Sequence, residues 1–330
     1  MVSRLRQLAV IVGILGSLSN TSAASSVDPE SILEAIVWME HQAALVTSAR
    51  GDFTVRYLPT SAEETQQISA FCRQRDNEHR SSGYFVSSRS AERRSYHSAW
   101  WRKGAMEREE KTHITRPAIV ETTVFDGQVV KTLDGTPGRA CLYLASPATH
   151  WTHKNRIQPF TFAFEYRSSP HGELLRESPE RRVVRRRSVD GGRFEVTARH
   201  PTDDRLILRM LFDEQWRLIQ RDAVLTRSSS FMELNNEEPA VYSRWEFSDF
   251  RPYDLGQGNR IWFPSKAMLR YYLGSLPDGT PVQSFAVDIE VGDIEFNVAV
   301  PDEKFKLVAP EGVPVHDHRD SRYAIVGVSY

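Results

Sequence analysis

VFDGQVVKTL, residues 124–133, places Asp126-Gly127 between two runs of β-forming residues. Asp-Gly between such runs is a strong hairpin signal, because the tight turn needs residues that tolerate positive φ. The order strand, tight polar turn, strand recurs in VDGGRFEVTA (189–198), LRMLFDEQWRLIQ (208–220) and SLPDGTPVQSFAVDIEV (275–291). In SAWWRKGAMEREEK (98–111), Lys103-Gly104 can turn a further hairpin. Strands at hairpin spacing, with no alternation of strand and helix, predict one antiparallel sheet that curls, mainly β with helices (α+β).

Ahead of the first strand the grammar is helical. Asp28 is a good N-cap, Pro29 suits the first helical position, and Ile32, Leu33, Ile36, Val37, Ala44 and Leu45 recur at helical spacing. This predicts a helix over 29–48, with Gly51 available to end it. Arg50-Gly51-Asp52 spells an adhesion tripeptide, but reads better as a helix C-cap followed by a polar residue. In DFTVRYL (52–58), Phe53, Val55 and Tyr57 share one strand face. Residues 60–82 are polar, an insertion that is either helical or a mobile loop. No repeat, low-complexity tract or Pro-rich linker divides residues 27–330, so they read as one domain.

Residues 1–23 have the form of a secretory signal peptide: Arg4 and Arg6, the apolar run LAVIVGILGSL, then small residues ending at Thr21-Ser22-Ala23 or Ser22-Ala23-Ala24. The apolar run is short of the roughly 20 residues that span a bilayer, and no other stretch approaches that length. The protein is therefore expected to be exported, periplasmic or extracellular, and not membrane-spanning. No cysteine follows the cut, which argues against a lipid-anchored lipoprotein. Cleavage removes two arginines and no acid, so the net charge moves from −1 to −3. That balance offers nothing to nucleic acid or to an anionic membrane surface. Cys72 and Cys141 are the two cysteines; in an oxidising compartment they either pair or remain two separate buried thiols.

Chemistry-bearing motifs are sparse. There is no G-x-S-x-G, H-E-x-x-H, C-x-x-C, P-loop or dinucleotide glycine pattern. His150 and His153 form one histidine cluster, and His316 and His318 another; the latter two would share a strand face. Two such pairs can supply four zinc ligands only if the segments meet. Both lie in polar surroundings that read as surface, so no catalytic residue, metal site or cofactor is assigned. RRVVRRRS (181–188) reads as a solvated strand balanced by Glu173, Glu177 and Glu180.

The aromatic residues say more. In PFTFAFEY (159–166), Phe160, Phe162, Phe164 and Tyr166 fall on one strand face; Trp100-Trp101 and Trp262-Phe263 stand together elsewhere. Most such residues fill a core. A curved sheet under one or two helices can also leave part of its apolar face open to an apolar ligand. These eight residues are the candidate cavity lining.

The order of features resembles the periplasmic lipoprotein-carrier (LolA/LolB-like) superfamily. A signal peptide and long helix lead into strands, then WWRKGAMEREE, VFDGQ, the aromatic segment after Pro159, LRMLFDEQWRLIQRD and IWFPSKAMLRYY. The ending DIEFNVAVPDEKFKLVAPEGVPVHD carries Asn297, Phe305, Pro310, Gly312, Val315 and Asp317 in the superfamily's N…F…P-x-G-x-x-V-x-D pattern. The resemblance implies an eleven-stranded, unclosed half-barrel covered by helices, whose concave face holds acyl chains. It implies a non-enzymatic carrier with a lipid or lipoprotein acyl chain as ligand, and an envelope protein as a further partner. The alternatives are an envelope sensor or regulatory module of the same fold, and a metal-dependent hydrolase built on the histidine clusters.

Overall fold

The computed structural model describes residues 45–74, 85–146, 183–189, 192–199, 205–215, 217–227 and 239–319, all within one compact unit, 32–330. Strand β1 (Ser48–Leu58) is followed by helices α1 (Ala62–Gln74) and α2 (Ser88–Arg94). Then come β2 (Tyr96–Lys103), β3 (Met106–His113), β4 (Arg116–Phe125), β5 (Val130–Asp134) and β6 (Cys141–Ala145). The second run comprises β7 (Val183–Val189), β8 (Arg193–Arg199), β9 (Leu206–Phe212), β10 (Leu218–Leu225), β11 (Ala240–Gly256), β12 (Asn259–Ser275) and β13 (Pro281–Phe296). A short β14 (Val315–Asp317) ends the described chain.

The turns form where the sequence places them. Gly104, Gly127 and Gly279 have φ of 58°, 96° and 84° in the β2–β3, β4–β5 and β12–β13 turns. At the second of these, the Asp126 carboxylate accepts the Gln128 and Val129 N–H groups at 3.0 and 2.9 Å, closing the loop on its own backbone.

All fourteen strands of the described residues join one sheet, in the order β14-β6-β5-β4-β3-β2-β1-β13-β12-β11-β10-β9-β8-β7. The order is two antiparallel meanders, β1–β6 and β7–β13, fused where β1 pairs with β13. β14 alone is parallel, lying beside β6. The ends of the sheet, β14 and β7, do not pair with each other, so the sheet is unclosed. The resemblance implied eleven strands; the described chain has fourteen.

The predicted end of the first helix is corrected. Leu45 is helical, but β1 begins at Ser48, and Arg50-Gly51-Asp52 lies inside the sheet between β2 and β13. A Cβ on Gly51 would stand 2.8 Å from the Asp293 carbonyl oxygen. Glycine is therefore required by a close strand approach at a bulge, and not by a helix cap. Residues 29–44 lie outside the described residues, as do the signal-peptide stretch 1–23 and the segment 159–166.

Residues 62–74 of the polar stretch form α1. Its start is a capping box: Ser61 Oγ accepts the Glu64 N–H at 3.1 Å, and Glu64 Oε2 accepts the Ser61 N–H at 2.6 Å. Ile68, Phe71 and Cys72, at i, i+3 and i+4, bury a stripe against Leu273 of β12 and Val282 of β13. Cys72 and Cys141 are thus two separate buried thiols, one on this helix and one on β6.

The C-terminal segment crosses the outer side of β2–β4. Phe305, in a 3-10 turn, packs with Val124, Val300 and Trp101. Lys304 Nζ lies 4.1 Å from the Trp101 ring centre, and Arg108 donates to the Lys304 carbonyl at 3.0 Å.

Candidate functional site

Alternation along each strand sorts the sheet into two faces of opposite character. On one face, Phe53 and Val55 of β1, Val287, Ile289 and Val291 of β13, and Ile261, Phe263, Ala267 and Leu269 of β12 belong to a single apolar cluster. Trp245 and Phe247 of β11, Met210 and Phe212 of β9, and Tyr96 and Trp100 of β2 extend it sideways. The opposite face of the same strands is charged. Arg56 reaches Asp288 and Glu290 at 3.7 and 3.0 Å, Arg50 pairs with Glu295 at 2.8 Å, and Lys266 with Asp249 at 2.7 Å. These pairs are exposed, and each is worth no more than about 1 kcal/mol. Their larger effect is on register: a one-residue slip would carry these charges into the apolar cluster.

Bulges preserve the sorting over long strands. β13 shifts parity between Val291 and Ile294, where β1 shifts register between Gly51 and Phe53, so Ile294 and Phe296 return to the apolar side.

One cross-strand row locates the part of this face with functional potential. Met210, Arg221, Trp245, Leu269, Val287 and Tyr57 are direct partners in sequence across β9, β10, β11, β12, β13 and β1. Five are apolar or aromatic; the sixth is a guanidinium. Arg221 is half-buried, and its guanidinium carbon lies 5.7 Å from the Trp245 ring centre. Burial pulls its pKa down to about 10, partly opposed by the nearby Tyr271, so it stays cationic at neutral pH.

Aromatic rings gather beside it. Tyr271 and Phe285 stack at 4.6 Å, Tyr57 and Phe285 at 6.3 Å, and Tyr242 meets Tyr271 edge-on at 5.6 Å. Tyr57, Tyr271 and Phe285 are only partly buried, unlike the core on which they pack. Burial raises the phenol pKa of both Tyr57 and Tyr271, so the rings stay neutral. Tyr253, Phe263 and Phe296 form a second aromatic group, with Phe296 centred 5.0 Å from Tyr253 and 5.5 Å from Phe263.

Beyond β1 the same face turns polar while remaining buried. Arg102 faces Glu107 at 3.5 Å, with side chains only 7% and 5% exposed. Ser98 donates to Glu109 at 3.0 Å, and Lys111 bridges Glu109 and Glu121 at 3.7 and 3.3 Å. Despite the run of charges in AMEREEK, Glu107 and Glu109 are only 4% and 2% exposed. Only strand register reveals the cations opposite them.

The sequence-derived candidates scatter in a way that strand geometry explains. Trp100 and Phe263 are fully buried in the apolar cluster. Their neighbours Trp101 and Trp262 do not join it, because successive strand residues point to opposite faces. Trp101 packs under the C-terminal segment, and Trp262 lies under Arg217 at 5.2 Å. Phe160, Phe162, Phe164 and Tyr166 lie outside the described residues. Sequence reading missed Arg221, Tyr57, Tyr271 and Phe285 as a group; the alternation in FAVDIEV and LRYY was the available signal.

His316 and His318 stack on Tyr143 at 5.3 and 6.2 Å, at the exposed β14–β6 edge. His150 and His153 lie outside the described residues. Among the described residues no group of three or more His, Cys, Asp or Glu is placed to hold a metal ion, and no helix is long and apolar enough to cross a membrane.

No protein-family model matches the chain, and no curated protein matches its sequence. Solved structures similar to it include an outer membrane lipoprotein-sorting protein domain from Vibrio parahaemolyticus, 9% identical, with a TM-score of 0.43 over 83% of this chain and 97% of that one. A DUF1329 family protein from Desulfovibrio piger is 10% identical, with a TM-score of 0.43 over 84% and 98% of the two chains. A LolA superfamily protein from Nitrosomonas europaea is 10% identical, with a TM-score of 0.44 over 82% and 97%.

Proposed function

We propose that this chain is an exported, non-enzymatic binding protein that holds a lipid, or the acyl part of a lipoprotein, against the apolar face of its sheet. The observation that carries this reading is the Tyr57–Phe285–Tyr271 stack, partly exposed and backed by a fully buried cluster that includes Val55, Leu269 and Ile289. A surface of this kind removes methylenes from water at about 0.8 kcal/mol each, without needing a directed polar contact. Neither α1 nor α2 contributes a residue to the cluster. α1 packs instead on the separate group around Leu273 and Val282.

The signal-peptide form of residues 1–23 supports an exported setting, where the partner would be an envelope lipid or lipoprotein. The test is a fluorescence titration with a long-chain acyl probe, followed by displacement with unlabelled lipid. Saturable one-to-one binding, reversed by the lipid and weakened by Phe285→Ala, is the expected result. A probe that never binds, or binds without saturation, would refute the reading.

A further inference from the structure

Helix α2 ends at the rim of the apolar face, beside Tyr57. Ser95, the buried residue that follows the helix, fixes that placement. Its hydroxyl donates to the Ala91 carbonyl at 2.8 Å and accepts the Tyr57 N–H at 3.0 Å, while its own carbonyl accepts the Ile114 N–H at 3.1 Å. The His113 imidazole meets the Arg93 carbonyl at 3.0 Å. The end of α2 is thereby fastened to β1 on one side and to the β3–β4 turn on the other.

Arg93 and Arg94 close the helix, where cations suit the negative end of the dipole. Arg93 is exposed, but Arg94 is half-buried, and its charge is felt at the Tyr57 phenol. Burial is the largest influence on that phenol and raises its pKa, with Lys111 and Arg94 opposing it. The other ionisable side chains nearby are engaged elsewhere. Lys111 bridges Glu109 and Glu121. Glu64 of α1 accepts the Ser61 N–H and the Gln283 side-chain amide. Glu92 is exposed and, two positions from Arg94 on a helix, points away from it. Among the described residues no carboxylate pairs with Arg94, and no hydrogen bond engages its guanidinium or the Tyr57 hydroxyl. A half-buried guanidinium beside an aromatic stack is costly to leave without an anion.

We propose that Arg94 and the Tyr57 hydroxyl together hold the anionic head of a long-chain carboxylate or phosphate monoester, whose chain runs from Tyr57 along Phe285 and Tyr271. The inference rests on the apolar-ligand reading above and narrows it to anionic amphiphiles. A guanidinium binds carboxylate or phosphate oxygens bidentately, through paired charge-assisted hydrogen bonds, and the neutral phenol adds one O–H donor. An ester or alcohol of the same chain length offers no charge to pair.

The experiment compares binding of palmitic acid, methyl palmitate, hexadecyl phosphate and hexadecanol to the unmodified protein by displacement of a fluorescent acyl probe. The acid is expected to bind at least about tenfold more tightly than its ester, or the phosphate than the alcohol, the scale of one hydrogen bond to a charged group. Whichever anion shows the larger preference names the head group. Arg94→Gln is expected to abolish that preference, Arg94→Lys to retain part of it, and Tyr57→Phe to reduce it while leaving the uncharged ligands bound as before. Arg50→Gln, on the charged face and paired with Glu295, is expected to keep the preference in full. Equal affinity for charged and uncharged ligands, or a preference that survives Arg94→Gln or falls equally in Arg50→Gln, overturns the Arg94 anchor and leaves the apolar-ligand reading intact. Failure of all four ligands to bind overturns both.

Discussion

Asn297 closes on Thr47 across 250 positions of sequence: its side-chain oxygen accepts the Thr47 N–H at 2.8 Å and the Thr47 hydroxyl at 3.1 Å. Its amide nitrogen donates to the Leu45 carbonyl at 2.8 Å, and its backbone φ is 55°. The residue thus fastens the end of β13 to the entry of β1, at the seam between the two meanders. Asn297→Ala loses three hydrogen bonds, each worth about 1 kcal/mol net, and adds strain at positive φ of about 1 kcal/mol. Surface exposure reduces the total, and about 2 kcal/mol of destabilisation is expected in urea. Asn297→Gly loses the same bonds without the strain and should cost measurably less. Equal losses would mean that the backbone conformation contributes nothing.

Asp222 is fully buried and receives Arg209, Arg244 and Gln220. Removing it leaves two cations facing each other across β9–β11. Breaking a buried pair costs about 3–5 kcal/mol; because both arginines retain some exposure, Asp222→Ala is expected near the lower end. Denaturant unfolding checks this. A loss below about 1 kcal/mol, the scale of an exposed pair, would show that the cluster is solvated.

Phe263 and Phe285 separate core from binding surface. Phe263 is wholly buried, and Phe263→Ala should cost about 3–5 kcal/mol through lost transfer energy and a residual cavity. Phe285 is partly exposed and stacked on two tyrosines. Phe285→Ala should cost less than half as much, yet weaken acyl-probe binding at least fivefold. Similar destabilisation by both substitutions, with no change in probe affinity, would assign Phe285 to ordinary core.

The tail histidines give a further test. His316 is exposed and His318 half-buried, and both stack on Tyr143. Changing both to alanine should move stability by no more than about 0.5 kcal/mol, and metal analysis of the parent should find no stoichiometric zinc. Stoichiometric zinc lost in the double variant would restore the hydrolase alternative.

How much of this was readable from sequence depends on whether the signal is local. The Asp126-Gly127, Lys103-Gly104 and Asp278-Gly279 turns act within four residues, and each forms as read. Alternation in DFTVRYL correctly grouped Phe53, Val55 and Tyr57. The pairing of β1 with β13, in which Arg50 meets Glu295, has no local trace. The burial of Glu107 and Glu109 follows from the β2–β3 pairing, which sets Arg102 opposite Glu107, and the side that Arg221 takes follows from the pairing of β10 with β9 and β11. Charged residues at strand spacing look solvated until the opposing strand is known. The helix boundary near Gly51 failed for a related reason: glycine serves a helix end and a crowded sheet equally well, and only the Asp293 carbonyl decides between them.

The most direct test of the central claim is native mass spectrometry of the protein isolated from its own source, before and after incubation with excess palmitic acid. The account predicts a mass increment of one fatty acid or lipid per chain, either carried through purification or acquired on incubation, and reduced when Phe285 is replaced by alanine. A protein that arrives bare and gains no mass at saturating fatty acid would contradict it.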